Sequence, residues 1–226
     1  MNPASKRAIE FLETKKNYMS DITIEYGTAA YSAEKQKLAD FILMFGDLST
    51  QQIDFIASKA KFTTLLKDEY FSKAGKIPTQ VSFLLNGIFR LSYYDNDGEE
   101  ITNYFIEGNQ FIADYQNFEA NLPSTDNLQA VTDCELLLFA KKDWAEISNA
   151  INGWDKITDK MYRKCLIETI EKRSPLVAED ATTRYLLFLK KFPSLANRIP
   201  LSYIASYLGI TQQSLSRIRK NIGRRQ

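Results

Sequence analysis

The sequence predicts an α+β chain in which an antiparallel β-roll is followed by a long helix and a C-terminal helix-turn-helix. Three observations predict this order. Short β-branched and aromatic runs fill the chain between Lys61 and Ala140, an apolar period of helical type covers Trp154 to Arg173, and Gly209 separates two short helical patterns. At 226 residues, 44% of them apolar, the chain can build a sizeable core.

The β-roll domain is predicted over 36–150, after an N-terminal extension, 1–35, that is mixed and polar. The domain begins with helical patterns, and Ser49 and Gln52 form an S-x-x-Q capping box at the start of the second one. The roll itself has turn glycines at the spacing found between short strands of sandwiches and rolls. These glycines are Gly75, Gly87, Gly98 and Gly108.

The long helix, assigned to 151–174, has an apolar arc that covers roughly half of its circumference, whereas one packing partner needs a stripe of only about 100°. The extra width predicts two partners, the β-roll and the same helix of a second subunit. A broader contact within one chain is the alternative. The residues predicted to form the dimer interface are Trp154, Ile157, Met161 and Cys165.

The chain contains no histidine, which removes the commonest general base and metal ligand. Its two cysteines, Cys134 and Cys165, lie in unlike contexts and cannot make a four-ligand metal site alone, so we interpret them as buried free thiols. A jelly-roll enzyme of the cupin type is disfavoured because such sites typically need clustered histidines. We therefore expect no enzyme activity, no metal and no cofactor.

Neither a membrane-spanning run of about 18 to 20 apolar residues nor a secretory signal is evident, so the predicted location is cytoplasmic, without a membrane partner. The formal net charge is only +1, but it is unevenly distributed. Residues 181–226 contain nine Lys and Arg and no acid, whereas the first 180 residues hold the other 20 bases and all 28 acids. A small basic module therefore follows a larger acidic one, and the positive electrostatic potential of the basic module favours binding to a polyanion.

The helix-turn-helix is predicted within a domain at 175–226. Ala205 lies where the two helices must approach closely, Gly209 lies at a turn that needs positive φ, and Thr211 is placed to cap the second helix. The apolar side chains of these two helices are predicted to pack the motif onto the preceding helix. They are Ile204, Leu208, Ile210, Leu215 and Ile218.

The polar face of the second helix has the residue types that read DNA, because glutamine can bond bidentately to adenine and arginine to guanine. We assign base contacts to Gln212, Gln213 and Arg217, with Ser216 on the same face. Phosphate contacts are assigned to Ser202, Ser214, Arg219 and Lys220. Thr211, at the start of the same helix, is also counted among the DNA-binding residues. The alternatives are a solvated polar face and a helix-turn-helix that mediates protein contacts beneath an effector-binding β-roll.

This order of elements resembles the Crp/Fnr (cyclic AMP receptor protein/fumarate–nitrate regulator) family of transcription regulators over about residues 38 to 222. The most specific stretches are GITQQSLSRIRK, similar to the family's recognition helix, and AVTDCELL, similar to the strand after its phosphate-binding cassette. The resemblance implies a cyclic-nucleotide-binding-like jelly roll, a winged-type helix-turn-helix, and a homodimer on two-fold double-stranded DNA with recognition helices about 34 Å apart. It also implies a contact with RNA polymerase.

The cassette departs from that of the nucleotide-binding members, which have a Gly-Glu pair and an Arg for the cyclic phosphate. This chain has Ala113-Asp114 and Ser124 at those positions. Burying the phosphate without a cation would cost several kcal/mol, so we expect no response to cyclic AMP. We assign an effector pocket of unknown ligand to Asp114, Ser124 and Thr125. The short SLANR loop and the few residues after Ile222 predict a reduced wing.

Overall fold

The computed structural model describes residues 28–173 and 179–223, with side chains over 33–171 and 179–223. Most of the predicted N-terminal extension lies outside these residues, but helix α1 already begins at Thr28. The helices are α1 Thr28–Ile42, α2 Thr50–Lys59, α3 Tyr115–Ala120, α4 Lys141–Ala150, α5 Trp154–Arg173, α6 Ala181–Lys191, α7 Leu201–Leu208 and α8 Gln212–Gly223. The strands are β1 Lys61–Leu65, β2 Tyr70–Ser72, β3 Gln80–Asn86, β4 Ile88–Tyr94, β5 Glu100–Glu107, β6 Gln110–Ile112, β7 Asn127–Ala130 and β8 Cys134–Ala140.

Two four-stranded antiparallel sheets form the roll, in the orders β1-β8-β3-β6 (sheet A) and β2-β7-β4-β5 (sheet B). The run VSFLLNGIFRLSYY breaks at Gly87, so that β3 lies in sheet A and β4 in sheet B. The run LQAVTDCELLLFA breaks after Ala130 in the same way. The predicted α+β fold is confirmed, and each of these long runs turns a corner between the sheets instead of forming one strand.

The corner at Gly87 requires glycine because its φ is +111°. A Cβ there would lie 2.5 Å from the Cys134 sulfur and 2.9 Å from the Asp133 carbonyl oxygen. We expect Gly87→Ala to lower the free energy of unfolding by about 2 kcal/mol, from backbone strain plus overpacking. Chemical denaturation measures this, with Gly75→Ala as control, since Gly75 has a φ of +79° and open space around it. Equal losses in both variants would show that the clash is absent.

One face of sheet A packs against α1, α2, α4 and the start of α5. The capping box of α2 forms as predicted: Ser49 accepts a hydrogen bond from the Gln52 backbone, and the Gln52 side chain accepts one from the Ser49 backbone. Trp154 and Ile157, expected at a dimer interface, lie inside this core with only 1% and 6% of their surface exposed. The start of α5 therefore packs within the protomer.

The two thiols differ in environment. Cys134 is a buried free thiol, as expected, and burial raises its pKa, which keeps the sulfur protonated and unreactive. Cys165 is exposed, so the expectation of burial was wrong for it. Sequence periodicity placed Cys165 on the apolar arc of the long helix, but the buried side chains described on α5 are confined to its start, at Trp154, Ile157 and Thr158.

The second core is continuous from the interior of the roll into the C-terminal helices. It joins Leu84, Phe89 and Phe105 of the roll to Phe188 and Leu215 of the helical segment. Phe105 contacts three aromatic rings of that segment, with ring centroids 5.5 to 6.2 Å apart, on Phe188, Phe192 and Tyr207. The helix-turn-helix is therefore packed on the β-roll.

In the part of the chain that the structure describes, no helix has both the length and the apolar character needed to cross a membrane. Among the same residues, no three His, Cys, Asp or Glu side chains are grouped so that they could hold a metal ion.

Candidate nucleic-acid interface

The helix-turn-helix is formed by α7 and α8 around a tight turn. Gly209 adopts a left-handed conformation with φ +63°, and its N–H bonds back to the carbonyls of Ala205 and Ser206. The Thr211 hydroxyl accepts a hydrogen bond from the Ser214 backbone N–H at 3.1 Å, which caps α8. Ala205 is buried, so a larger side chain there would push the helices apart. These are the features that the sequence predicted for the motif.

The two helices bury one side and expose the other. Ile204, Leu208 and Leu215 are buried, while Ile210 and Ile218 are partly buried against the same core. At 100° per residue, the exposed side chains between Gln212 and Lys220 span an arc of about 160°. That exposed arc consists of Gln212, Gln213, Ser216, Arg217, Arg219 and Lys220.

This exposed arc is polar and basic. Arg217, Arg219 and Lys220 form no ion pair with any residue that the structure describes. Arg219 bends toward the loop before α7, where its guanidinium donates to the Asn197 side chain at 3.5 Å. Ser202 and Thr211 are also exposed, whereas Ser214 is half-buried beside the cap. The arrangement leaves Arg217 and Lys220 available to a polyanion.

Between Ala181 and Gly223 the structure describes helices and turns but no strand. The predicted reduced wing would lie partly at 224–226, which is outside the described residues.

The polar contacts that hold α7 on sheet B were missed from the sequence. The Ser206 hydroxyl accepts from the Thr102 backbone N–H at 2.8 Å and donates to the Glu100 carbonyl at 3.3 Å. The Arg90 guanidinium lies 3.8 Å from the centre of the Tyr203 ring. Arg90 was the available signal, since a charged residue in the apolar run GIFRLSYY needs a partner if the strand is buried.

Arg90 is 2% exposed and lies at the centre of this contact. It forms an ion pair with Glu100 at 2.5 Å, donates to Gln129 at 2.9 Å and lies 3.4 Å from the Thr102 hydroxyl. Removing the carboxylate partner of this buried guanidinium would be strongly destabilising, because an unpaired charge is penalised in the low dielectric of the interior. The ion pair joins β4 to β5 within sheet B and fixes the guanidinium that contacts the Tyr203 ring of α7.

The proposed effector residues are brought near one another, but their polar atoms are engaged locally. Asp114 caps α3 and accepts from the Asn117 side chain at 2.9 Å. Ser124 is buried, and its hydroxyl donates to the Asp126 carbonyl at 2.8 Å. Thr125 is exposed and donates to the Asp126 carboxylate at 3.3 Å. None of these contacts involves a lysine or arginine that could replace the arginine expected at the position of Ser124.

Asp126 is a residue of this region that the sequence did not single out. Burial raises the pKa of its carboxyl group, the Thr125 hydrogen bond opposes the rise, and the negative charge of Asp114 adds to it. Two carboxylates, Asp114 and Asp126, therefore lie among the residues predicted to form the effector pocket. When ionised, these carboxylates repel an anion.

The exposed apolar surface of α5 lies on its second half. Leu166, Ile167 and Ile170 are 44%, 56% and 66% exposed. Met161 is half-buried against the core between sheet A and its helices, and Cys165 is exposed next to Leu166. Among the predicted interface residues, only Met161 and Cys165 are thus accessible to a second subunit.

Comparison with known proteins agrees with this architecture. Residues 62–150 match the cyclic nucleotide-binding domain family. FixK2 from Bradyrhizobium japonicum is 16% identical, with TM-score 0.61, over 74% of this chain and 85% of that one. CLP from Xanthomonas campestris, a c-di-GMP-responsive global regulator, is 15% identical, with TM-score 0.62, over 77% and 92%.

A Crp/Fnr-family protein from Eubacterium rectale is 16% identical, with TM-score 0.63, over 78% of this chain and 84% of that one. No curated protein is significantly similar in sequence. Residues 62–150 therefore match the cyclic nucleotide-binding domain family, and about three-quarters of the chain shares the fold of these solved proteins, one of which is a regulator of the Crp/Fnr family.

Proposed function

We propose that this protein is a sequence-specific DNA-binding transcription regulator that acts as a homodimer on a two-fold DNA site. The observation that carries the proposal is the exposed polar and basic arc of α8, presented by a helix-turn-helix whose opposite side is packed on the β-roll. A helix with this shape and these side chains fits the major groove.

The charge distribution supports a nucleic acid as the partner. The nine bases of residues 181–226 face no acid within their own segment. Each phosphate that a lysine or arginine neutralises releases condensed counterions, which favours binding at moderate salt. The acidic residues belong to the rest of the chain, and screening limits their effect beyond about 10 Å.

The roles along the arc follow from chemistry and position. Gln212, Gln213 and Arg217 are at the N-terminal part of α8, where a recognition helix meets base edges, and their side chains can bond bidentately to purines. The other polar groups are suited to phosphate oxygens, which position the protein without reading sequence. They are Ser202, Ser214, Arg219 and Lys220.

The proposed dimer contact uses the exposed apolar surface of α5. Leu166 and Ile170 are one turn apart, so they form a stripe that the same helix of a second subunit can cover. Ile167 and Cys165 lie on either side of that stripe, whereas Met161 is on the side of α5 that packs against the protomer core. A dimer of this kind gives the two recognition helices the symmetry of a palindromic site.

We infer that cyclic AMP is not the signal. Asp114 and Asp126 oppose a phosphate, and the Ser124 hydroxyl is already bonded to the Asp126 backbone. The c-di-GMP to which CLP responds also has phosphates, so the same two carboxylates oppose it at this place.

The second candidate function is a β-roll module whose helix-turn-helix contacts another protein. The continuous core between roll and helices is compatible with it. Random duplex DNA separates the two functions. A DNA-binding protein is retained with a steep loss of affinity as salt rises, and a protein-contact module is not.

Arg217→Ala and Lys220→Ala are expected to change DNA binding in different ways. Losing Arg217 should relax preference at one base pair per half-site, at a cost of about 1 to 3 kcal/mol on the specific site. Losing Lys220 should weaken specific and random DNA alike and lower the slope of log affinity against log salt by about one unit. Fluorescence anisotropy over a salt series measures both effects.

The matched control is Lys190→Ala, which removes a lysine outside the α8 arc. It should change the salt slope by less than Lys220→Ala does. If Arg217→Ala and Lys220→Ala gave the same profile on specific and random DNA, the division between base and phosphate contacts would be wrong.

A further inference from the structure

A cleft at the junction of α3, α4 and α5 has a volume of about 260 Å³ and lies apart from the DNA-binding arc. Its aromatic lining comes from Tyr115, Trp144, Trp154 and Tyr162. Both tryptophans are buried, while both tyrosines are half-buried. The volume suits a molecule smaller than the ligands that fill typical pockets of about 300 to 1,000 Å³.

The rings meet at steep angles, which turns their faces in different directions. Trp144 and Trp154 are 5.4 Å apart at 67°, and Tyr115 and Trp144 are 6.4 Å apart at 71°. Tyr115 and Tyr162 are 6.0 Å apart at 42°. The negative face of an aromatic ring attracts a cation that lies within about 6 Å of its centre. Several rings in one cleft can therefore surround a single cationic group.

The cleft is also acidic. Glu119, Asp155 and Asp159 line it, and no lysine or arginine is among its lining residues. Glu119 and Asp155 form no ion pair with a described residue, while Asp159 pairs with Arg163 at 2.8 Å on the exposed surface. An exposed pair of this kind contributes little and is readily screened. The local charge therefore favours a cation.

The cleft has one buried donor without a partner. Trp154 is 1% exposed, and its indole Nε1–H has no hydrogen-bond acceptor in the described part of the chain. An indole N–H can only donate, and leaving a donor buried and unsatisfied costs about 1 to 3 kcal/mol. A bound molecule with an oxygen acceptor would satisfy it.

We propose that this cleft binds a small organic cation of the quaternary or methylated ammonium class that also carries an oxygen acceptor. The aromatic faces and the carboxylates of Glu119 and Asp155 hold the ammonium group, and the Trp154 N–H donates to the oxygen. Because α3 lies between the cassette positions Asp114 and Ser124, and α5 contains the proposed dimer stripe, an occupant would contact two elements that matter for regulation. The proposal does not depend on DNA binding.

Intrinsic fluorescence tests it directly, since the chain has only two tryptophans and both line the cleft. The full-length protein is titrated with choline, with glycine betaine, and with 3,3-dimethylbutanol, the neutral isostere of choline. We expect a saturable change with the cations and a neutral isostere that binds about tenfold more weakly. No saturable change, or equal binding of choline and its isostere, would overturn the proposal.

Variants test the two halves of the ligand. Glu119→Gln and Asp155→Asn should each weaken choline binding several-fold, while Glu171→Gln, an exposed carboxylate elsewhere on α5, should leave it unchanged. Equal effects of all three would show non-specific electrostatics only. Tetramethylammonium lacks the oxygen and should bind more weakly than choline, and equal affinities would remove the role assigned to Trp154.

Discussion

Glu100→Ala is expected to lower the free energy of unfolding by about 3 kcal/mol. The substitution leaves the Arg90 guanidinium buried with only neutral partners, the Gln129 and Thr102 side chains and the Tyr203 ring. Glu100 is itself one-quarter exposed, so the value lies at the lower end of the range for breaking a buried pair. Urea denaturation followed by circular dichroism measures the loss.

Glu99→Ala is the matched control, because it removes an exposed carboxylate from the preceding residue. Its effect should stay within about 0.5 kcal/mol. A double variant, Arg90→Met with Glu100→Leu, should recover much of the lost stability, since no charge is then left buried. If Glu100→Ala behaved like Glu99→Ala, the ion pair would not stabilise the packing of the helix-turn-helix on the roll.

The second large effect is expected from Ile170→Asp, preferably combined with Leu166→Asp. Both side chains are exposed in the protomer, so the variant should fold with an unchanged circular dichroism spectrum. A carboxylate buried at the proposed dimer contact would be desolvated, which should shift the protein to monomer. Separate half-sites lose the advantage of linked binding, so affinity for a two-fold operator should fall about 100-fold or more.

Analytical ultracentrifugation and operator binding measure these two consequences. Ile77→Asp supplies the control, because Ile77 is also an exposed apolar residue but belongs to the turn before β3. It should leave both the dimer and the affinity unchanged. A dimer that persisted in the Ile170→Asp, Leu166→Asp protein would place the subunit contact elsewhere.

The features that the sequence predicted well are those governed by local rules. Gly209, Ala205 and Thr211 define the helix-turn-helix through backbone conformation, close approach and capping, and none of these depends on distant parts of the chain. The long helix likewise has the predicted bounds, Trp154–Arg173. The polar arc of α8 follows from a helical period alone.

The predictions that were wrong or missing concern tertiary packing, which the hydrophobic periodicity of a sequence does not specify. A wide apolar arc on α5 predicted two partners but not which half of the helix each would cover, and the packing of α1, α2 and α4 buries Trp154 and Ile157. Arg90 meets Glu100 within sheet B, whereas its contact with Tyr203 joins residues 113 positions apart. The aromatic cleft combines rings from three helices that are separate in sequence.

Selection of bound sequences from random duplex DNA tests the central claim most directly. A homodimeric regulator should enrich a palindrome whose half-sites have centres about 10 base pairs, or 34 Å, apart or a multiple of that spacing. The same selection with Arg217→Ala should lose preference at one position in each half-site. Retention of DNA without any enriched sequence, or enrichment of a single asymmetric half-site, would contradict the account.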